Sequence, residues 1–175
     1  KGTVSGSGPV SMVDNGTQLF IACNGPSYIY NLTTDVFAQI TDPDFPGAVT
    51  VGYIDGYFVF NEPDSQRVWV TALLDGTSVD PLDFASAEGN PDNVISIIVD
   101  HREVWLFGTN STEVWYNAGN PEGSPFSRIQ GAFNEIGCAA TYSVAKMDNQ
   151  IFWLGADARG KGIVYRAEGY SGKRV

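Results

Sequence analysis

Short apolar runs alternate with polar turns along the chain, and their order recurs four times. The first unit reads PVSMV, DNG, TQLFIAC and SYIYNL. The second reads AVTVGYI, DG, YFVF and RVWVTAL, the third VISIIV, DHR, EVWLFG and EVWYNAG, and the fourth YSVAKM, DN, QIFWLG and GIVYRAEG. In each unit an apolar run meets an acidic turn and then a second run. A polar link follows, and then a third run that carries an aromatic residue. The turn aspartates Asp14, Asp55, Asp100 and Asp148 are 41, 45 and 48 residues apart. A β-propeller blade repeats at about 40–50 residues. A weaker fourth run is visible in FAQIT, PLDFA and FSRIQ. Three strong strands and one weak one suit a blade whose outermost strand faces water.

The segment YIDGYFVF, residues 53 to 60, places a turn inside an almost wholly apolar run. Asp-Gly is a strong two-residue hairpin signal, because both turn positions favour positive φ. Strands covered on both faces read as continuous apolar runs, as the inner strands of stacked blades would. The segment therefore predicts the first two strands of one blade. Residues 92 to 107 run for long without Gly or Pro, and their Val and Ile content leaves room for a short helical turn at most. A plain β-sandwich is the alternative, with strands at a spacing of about 8–12 residues and no higher period.

The pattern predicts an all-β, propeller-like chain of about four antiparallel blade units, near 9–45, 46–90, 91–134 and 135–175. It forms one domain or a fragment of a larger propeller. In a fragment the terminal units would keep uncovered apolar faces, which promote self-association.

The 175 residues suffice for one domain with a sizeable core. At 43% hydrophobic and 17% charged, the chain is not disordered. Its 20 glycines and 9 prolines suit many short strands joined by turns. No apolar run reaches the roughly 18 residues of a membrane span. The two cysteines, Cys23 and Cys138, are expected to be unbonded, buried thiols. N-x-[ST] triplets at Asn15, Asn31 and Asn110 fall in turn-rich sequence, where such triplets arise by chance.

The net charge is −10, and it is uneven. Between Gly2 and Gln66 there is no Lys or Arg, against seven acids, whereas Arg159, Lys161, Arg166, Lys173 and Arg174 crowd the other end. Such a surface does not gather phosphates by counterion release, so no specific nucleic-acid binding is expected of this segment.

No catalytic, cofactor-binding or metal-binding residue stands out. His101 is the sole histidine and sits in the turn Asp100-His101-Arg102-Glu103. A Ser-His-Asp triad or most zinc sites would need it, but its setting suits an exposed or hydrogen-bonded turn residue. Asp42 and Asp44 are spaced as in calcium loops, yet prolines flank them and a closing Glu is absent. That stretch, like Gly89-Asn90-Pro91-Asp92-Asn93, reads as a rigid connector between blades. The stretch from Gly155 to Gly162 imitates a phosphate loop but has Gly where Ser or Thr would bind magnesium. It reads as a hairpin loop. Trp69, Trp105, Trp115 and Trp153 lie inside apolar runs, where core packing is expected. The repeated Ser-x-Asp-x-Gly-x-Thr-Trp of sialidase-type propellers is missing.

Longer wording carries a family resemblance. The segments GTVSGSGPVSM (2–12), TDPDFPGA (41–48), DGYFVF (55–60), VDHREVWLFG (99–108), TEVWYNAG (112–119), RIQGAF (128–133) and GIVYRAEGY (162–170) span most of the chain. In them the chain resembles the packaged-DNA stabilisation proteins of short-tailed lambdoid phages. The resemblance implies a structural, non-enzymatic protein of the virion tail, assembled in the bacterial host cytoplasm. Its implied partners are the portal and adaptor ring and other tail components. It implies a homo-oligomeric ring that seals the portal, retains packaged DNA and serves as a platform for further tail parts. It also implies a longer parent protein, of which this chain is an internal piece. No cofactor and no membrane are implied. The competing expectation is a propeller that binds or cleaves carbohydrate. That alternative requires acids clustered near the inner strands, whereas a scaffold would scatter them in outer loops.

Overall fold

The computed structural model describes residues 1–157 and 159–175, with every side chain among them but that of Lys161. The sequence-predicted hairpin loop at 155–162 is thus described except at Ala158, which lies outside the described residues.

Four antiparallel sheets follow one another along the chain. The first holds β1 (Ser11–Asp14), β2 (Gln18–Ala22), β3 (Ser27–Asn31) and β4 (Phe37–Gln39). The second holds β5 (Val51–Ile54), β6 (Tyr57–Asn61), β7 (Arg67–Val70) and β8 (Phe84–Ser86). The third holds β9 (Val94–Asp100), β10 (Glu103–Gly108), β11 (Thr112–Asn117) and β12 (Phe126–Asn134). In the fourth, the innermost strand is split into β13 (Gly137–Cys138) and β14 (Ala145–Met147). Both pieces pair with β15 (Gln150–Asp157), and β16 (Gly160–Glu168) and β17 (Ser171–Arg174) follow. Within each sheet, neighbouring strands are consecutive in sequence, which is the meander of a propeller blade.

Each middle strand is apolar on both faces because it separates two sheets. In β6, Phe58 and Phe60 face the first sheet and pack with Phe20 and Ile29. The alternating residue Val59, with Tyr57 beside it, faces the third sheet and meets Val104, Leu106 and Trp115. In β10, Val104 and Leu106 point back to the second sheet, while Trp105 and Phe107 point forward to Ile151, Trp153 and Tyr165 of the fourth. The period of two along a strand thus becomes three apolar layers between four sheets.

The Asp55-Gly56 turn joins β5 to β6 with φ of 50° and 93°, in the left-handed region that the dipeptide was expected to supply. The four turn aspartates are not equivalent, however. Asp55 and Asp148 occupy turns, with φ of 50° for both, whereas Asp14 and Asp100 close the preceding strands. In the third sheet His101 and Arg102 make the turn, at φ of 47° and 64°. Residues 92 to 107 hold strands instead of a helical turn. The one 3₁₀ turn, Thr141–Ser143, interrupts the innermost strand of the fourth sheet. The last residues form β17, the outer strand of that sheet.

The inner edges are fastened by a buried polar network. Asn61 is fully buried, and its Oδ1 accepts from the Thr50 amide at 3.0 Å and the Thr50 hydroxyl at 2.7 Å. Its Nδ2 donates to the carbonyl of Val94 at 2.8 Å. The Thr50 Oγ1 accepts from the Ile97 amide at 2.8 Å, and the Val51 amide donates to Ser11 Oγ at 3.1 Å. Three sheets are thereby tied at one level. Where β5 passes β9 the backbones approach closely, and a Cβ on Gly52 would stand 2.6 Å from Val99 Cγ2.

The two terminal sheets differ from the middle pair. The N-terminal segment lies over part of the outer face of the first sheet, where Ser5 bonds the Tyr28 hydroxyl through its amide at 2.8 Å. Beside it, Tyr28 stacks on Phe37 at 5.2 Å. Met12 on that face is exposed. On the fourth sheet, Met147 and Val164 are exposed and Phe152 and Leu154 are half-buried, on the face turned away from the third sheet. No apolar cluster among the described residues joins the fourth sheet to the first.

Replacing Asn61 by Leu keeps the volume but strands the Thr50 amide and the Val94 carbonyl in a dry interior. The variant is expected to lose about 3 kcal/mol of stability, the cost of unpaired buried polar groups, read as a shift of the urea midpoint. An unchanged midpoint would contradict the role given to this amide.

Candidate functional site

The feature shared by all four sheets is the central channel. Their innermost strands surround a cavity of about 440 Å³. Its wall is built of aliphatic residues and hydroxyls, among them Val13, Ser11, Thr50, Ser96, Ile98 and Tyr142. Among the described residues no carboxylate lines it, and Lys146 is the one charged lining residue. Lys146 is committed to Asp100, with Nζ 3.1 Å from Oδ1. Burial would raise the Asp100 pKa, but hydrogen bonds from His101 and Lys146 outweigh it and hold the carboxyl below its ordinary value.

The residues singled out from the sequence lie apart from one another. His101 is exposed in its turn, with Nδ1 2.7 Å from Asp100 Oδ2. Asp42 accepts from the Asp44 amide at 2.9 Å and from the Val79 amide at 3.2 Å, so it braces a connector against a loop of the second sheet. Among the described residues no three His, Cys, Asp or Glu side chains gather as a metal site. The four tryptophans are buried in the apolar layers. Trp69 Nε1 donates to Glu62 at 2.9 Å and Trp115 Nε1 to Glu113 at 3.0 Å. Cys23 and Cys138 are free thiols; Cys138 is buried, whereas Cys23, expected to be buried too, is only half-buried, and burial raises the pKa of each. No described helix is long and apolar enough to cross a membrane.

Two acids do structural work that the sequence did not announce. Asp92, read as part of a connector, is buried. It accepts from the Asn110 amide at 2.6 Å, the Ser111 amide at 3.1 Å and the Ser111 hydroxyl at 2.8 Å. It closes the turn between β10 and β11. Asp157 accepts from the Tyr165 hydroxyl at 2.5 Å and from Arg174 at 2.8 Å, and so ties β15, β16 and β17 together.

The acids are thus engaged in turns and at strand ends, and none among the described residues lines the inner wall. A family model described as bacteriophage P22 Gp10, beta-propeller, matches residues 1–175, the whole chain.

The chain belongs to this family.

It is accordingly a β-propeller protein of the phage stabilisation family. Solved structures bear out the fold. The chain is similar to the β-propeller domain of Cps50 (Swd1) from Myceliophteria thermophila, with TM-score 0.64 and 12% identity over 98% of this chain and 60% of that one. It is similar to the extracellular domain of a hybrid two-component system from B. thetaiotaomicron, with TM-score 0.58 and 10% identity over 97% of this chain and 22% of the other. A computationally designed protein, Ika4, matches with TM-score 0.53 and 13% identity over 95% of this chain and 98% of that protein. At such identities the likeness is one of fold. Comparison with curated proteins gives no match.

The Asp157 clamp has a pH signature. The bond from Tyr165, then that from Arg174, holds its carboxyl far below the ordinary carboxylate range. A depressed native pKa means the stabilisation is whole above the unfolded value of about 4 and is lost as pH falls toward the native one. Asp157→Asn is therefore expected to melt below wild type at pH 7, with the gap narrowing steadily below about pH 4. A gap independent of pH would contradict this.

Proposed function

We propose that the parent protein sits in the head-to-tail channel of the virion, seals the portal after packaging, and carries further tail parts. It does so by ring assembly and without chemistry. Its implied neighbours are the portal and adaptor ring and tail components, and its assembly takes place in the host cytoplasm. The observation that carries the non-catalytic part is the carboxylate-free inner wall. A glycosidase needs two carboxyl groups facing one bond, and a binding propeller needs polar groups converging in its pocket. Here Asp55 in a turn, Asp92 in a connector, and Asp100 and Asp157 at strand ends are engaged with Arg102, backbone amides, Lys146 and Arg174. This favours the scaffold over the carbohydrate-directed alternative.

The channel also bears on how DNA would be held. A cavity of about 440 Å³ is far too small for a duplex, whose major groove alone is about 12 Å wide. DNA would not thread this body; it would pass beside it, through a ring built from several copies. The acid-rich surface supports such passage, because like charge repels phosphate at low salt and the repulsion fades as salt screens it. The uncovered outer face of the fourth sheet favours a place for this chain within a larger propeller, as a single domain or part of one with blade units near 9–45, 46–90, 91–134 and 135–175.

Particles assembled without the protein are expected to package a genome and then lose it, measured as nuclease-sensitive DNA released from purified heads. The isolated segment is expected to show no duplex binding at micromolar concentration in low salt. Normal genome retention without the protein would end the sealing proposal. Hydrolysis or tight binding of a polysaccharide by the segment would favour the alternative.

A further inference from the structure

The loop between β7 and β8, residues 71–83, breaks two rules at once. It carries Leu73, Leu74 and Leu82 at 59%, 60% and 70% exposure. Leu74 is also left-handed, at φ of 62°. For a bulky residue that conformation is a genuine outlier with an energetic cost. An apolar side chain in water gains nothing that would offset it.

The backbone around this leucine is nonetheless firmly held. The Leu74 amide donates to the Gly56 carbonyl at 2.7 Å, and Asn15 reaches its carbonyl at 3.5 Å. The Gly76 amide donates to Gln18 Oε1 at 2.7 Å, and Gln18 Nε2 donates to Asp75 at 3.2 Å. Val79 is buried between the first two sheets. The loop base is therefore a wedge locked to two blades, and its leucines are displayed by it. Leu73 and Leu74 both lie against the Gly56 turn. A contact surface whose conformation is fixed before binding saves the ordering cost of association.

The charge within the loop is of one sign. The loop contributes Asp75, Asp80 and Asp83, and Asp55 adjoins it at the Gly56 turn. Burial, and then the neighbouring Asp80, raise the pKa of Asp83, as crowded like charges do. Asp55 is paired with Arg102 at 2.6 Å, so the unpaired charge comes from the loop itself, with Asp80 exposed. Exposed leucines on a loop with three acids and no base fit a surface of opposite charge.

We propose that residues 71–83 are a docking loop, in which Leu73 and Leu74 seat in an apolar hollow of another virion protein rimmed by lysine and arginine. The proposal rests on the scaffold function above and names the surface through which that scaffold is attached.

The test uses the full-length protein and purified particles assembled without it, whatever DNA they retain, with binding followed by co-sedimentation. Leu74→Asn suits the left-handed backbone, so its melting temperature is expected to equal or exceed wild type while particle binding falls about tenfold or more. Asp80→Lys is expected to weaken binding severalfold, and Asp44→Lys, exposed on a connector, to leave it unchanged. Wild-type binding should weaken as salt rises. Full binding by both Leu74→Asn and Asp80→Lys overturns the docking loop and leaves the scaffold function standing. Absence of binding by wild type overturns both. If the purified wild type dimerises and Leu74→Asn does not, the occupant is a second copy, and the proposal of a basic partner is overturned.

Discussion

Burial of each middle strand on both faces is the constraint on which everything else in this molecule depends. A single four-stranded sheet with Phe58 and Phe60 on one side and Val59 on the other cannot be stable in water, because it has no solvent face. It must be stacked, and stacking with a constant turn angle places the inner strands about an axis. The apolar layers built on Phe20, Trp115 and Trp153 supply the cohesion. The Asn61–Thr50 network sets the level at which the sheets meet. A polar network of this kind contributes little net energy when complete and costs a great deal when broken, so it specifies position more than it adds stability.

The same constraint shapes function. Stacking consumes the strand faces, so what remains free for interaction is the channel, the turns at either end, and the outer faces of the terminal sheets. The channel is walled by aliphatic residues and hydroxyls. Acids sit in turns, as Asp55 does, or at strand ends, as Asp100 and Asp157 do, and pair with Arg102, Lys146 and Arg174. A body of this construction suits mechanical and positional work. Its acidic exterior repels phosphate at low salt, which suits the conduit role proposed above.

The repeat was legible because apolar runs with β-branched and aromatic residues leave few alternatives. Asp55-Gly56 placed one hairpin almost to the residue. Legibility failed where side chains overrode pattern. Leu73 looked like the end of the run RVWVTAL, but β7 stops at Val70 and the chain turns away, held at Leu74 by Gly56 and Asn15. Asp92 looked like connector chemistry because Asn-Pro-Asp is a turn signal; that its carboxylate is buried under Ser111 depends on a partner 19 residues away. Asn61 ends a strand, where asparagine ordinarily marks a turn, and nothing local indicates that its amide ties down the next sheet. Equal marks in the sequence also had unequal roles, since Asp14 and Asp100 end strands where Asp55 and Asp148 make turns.

Placement of the chain in the intact particle tests the central claim most directly. Cryo-microscopy of DNA-filled virions should show the four-sheet body in several copies around the axis of the head-to-tail channel, with the DNA density running between copies and none inside the cavity walled by Thr50 and Ser96. Density for this body away from the channel, or duplex threading the propeller itself, would contradict the account.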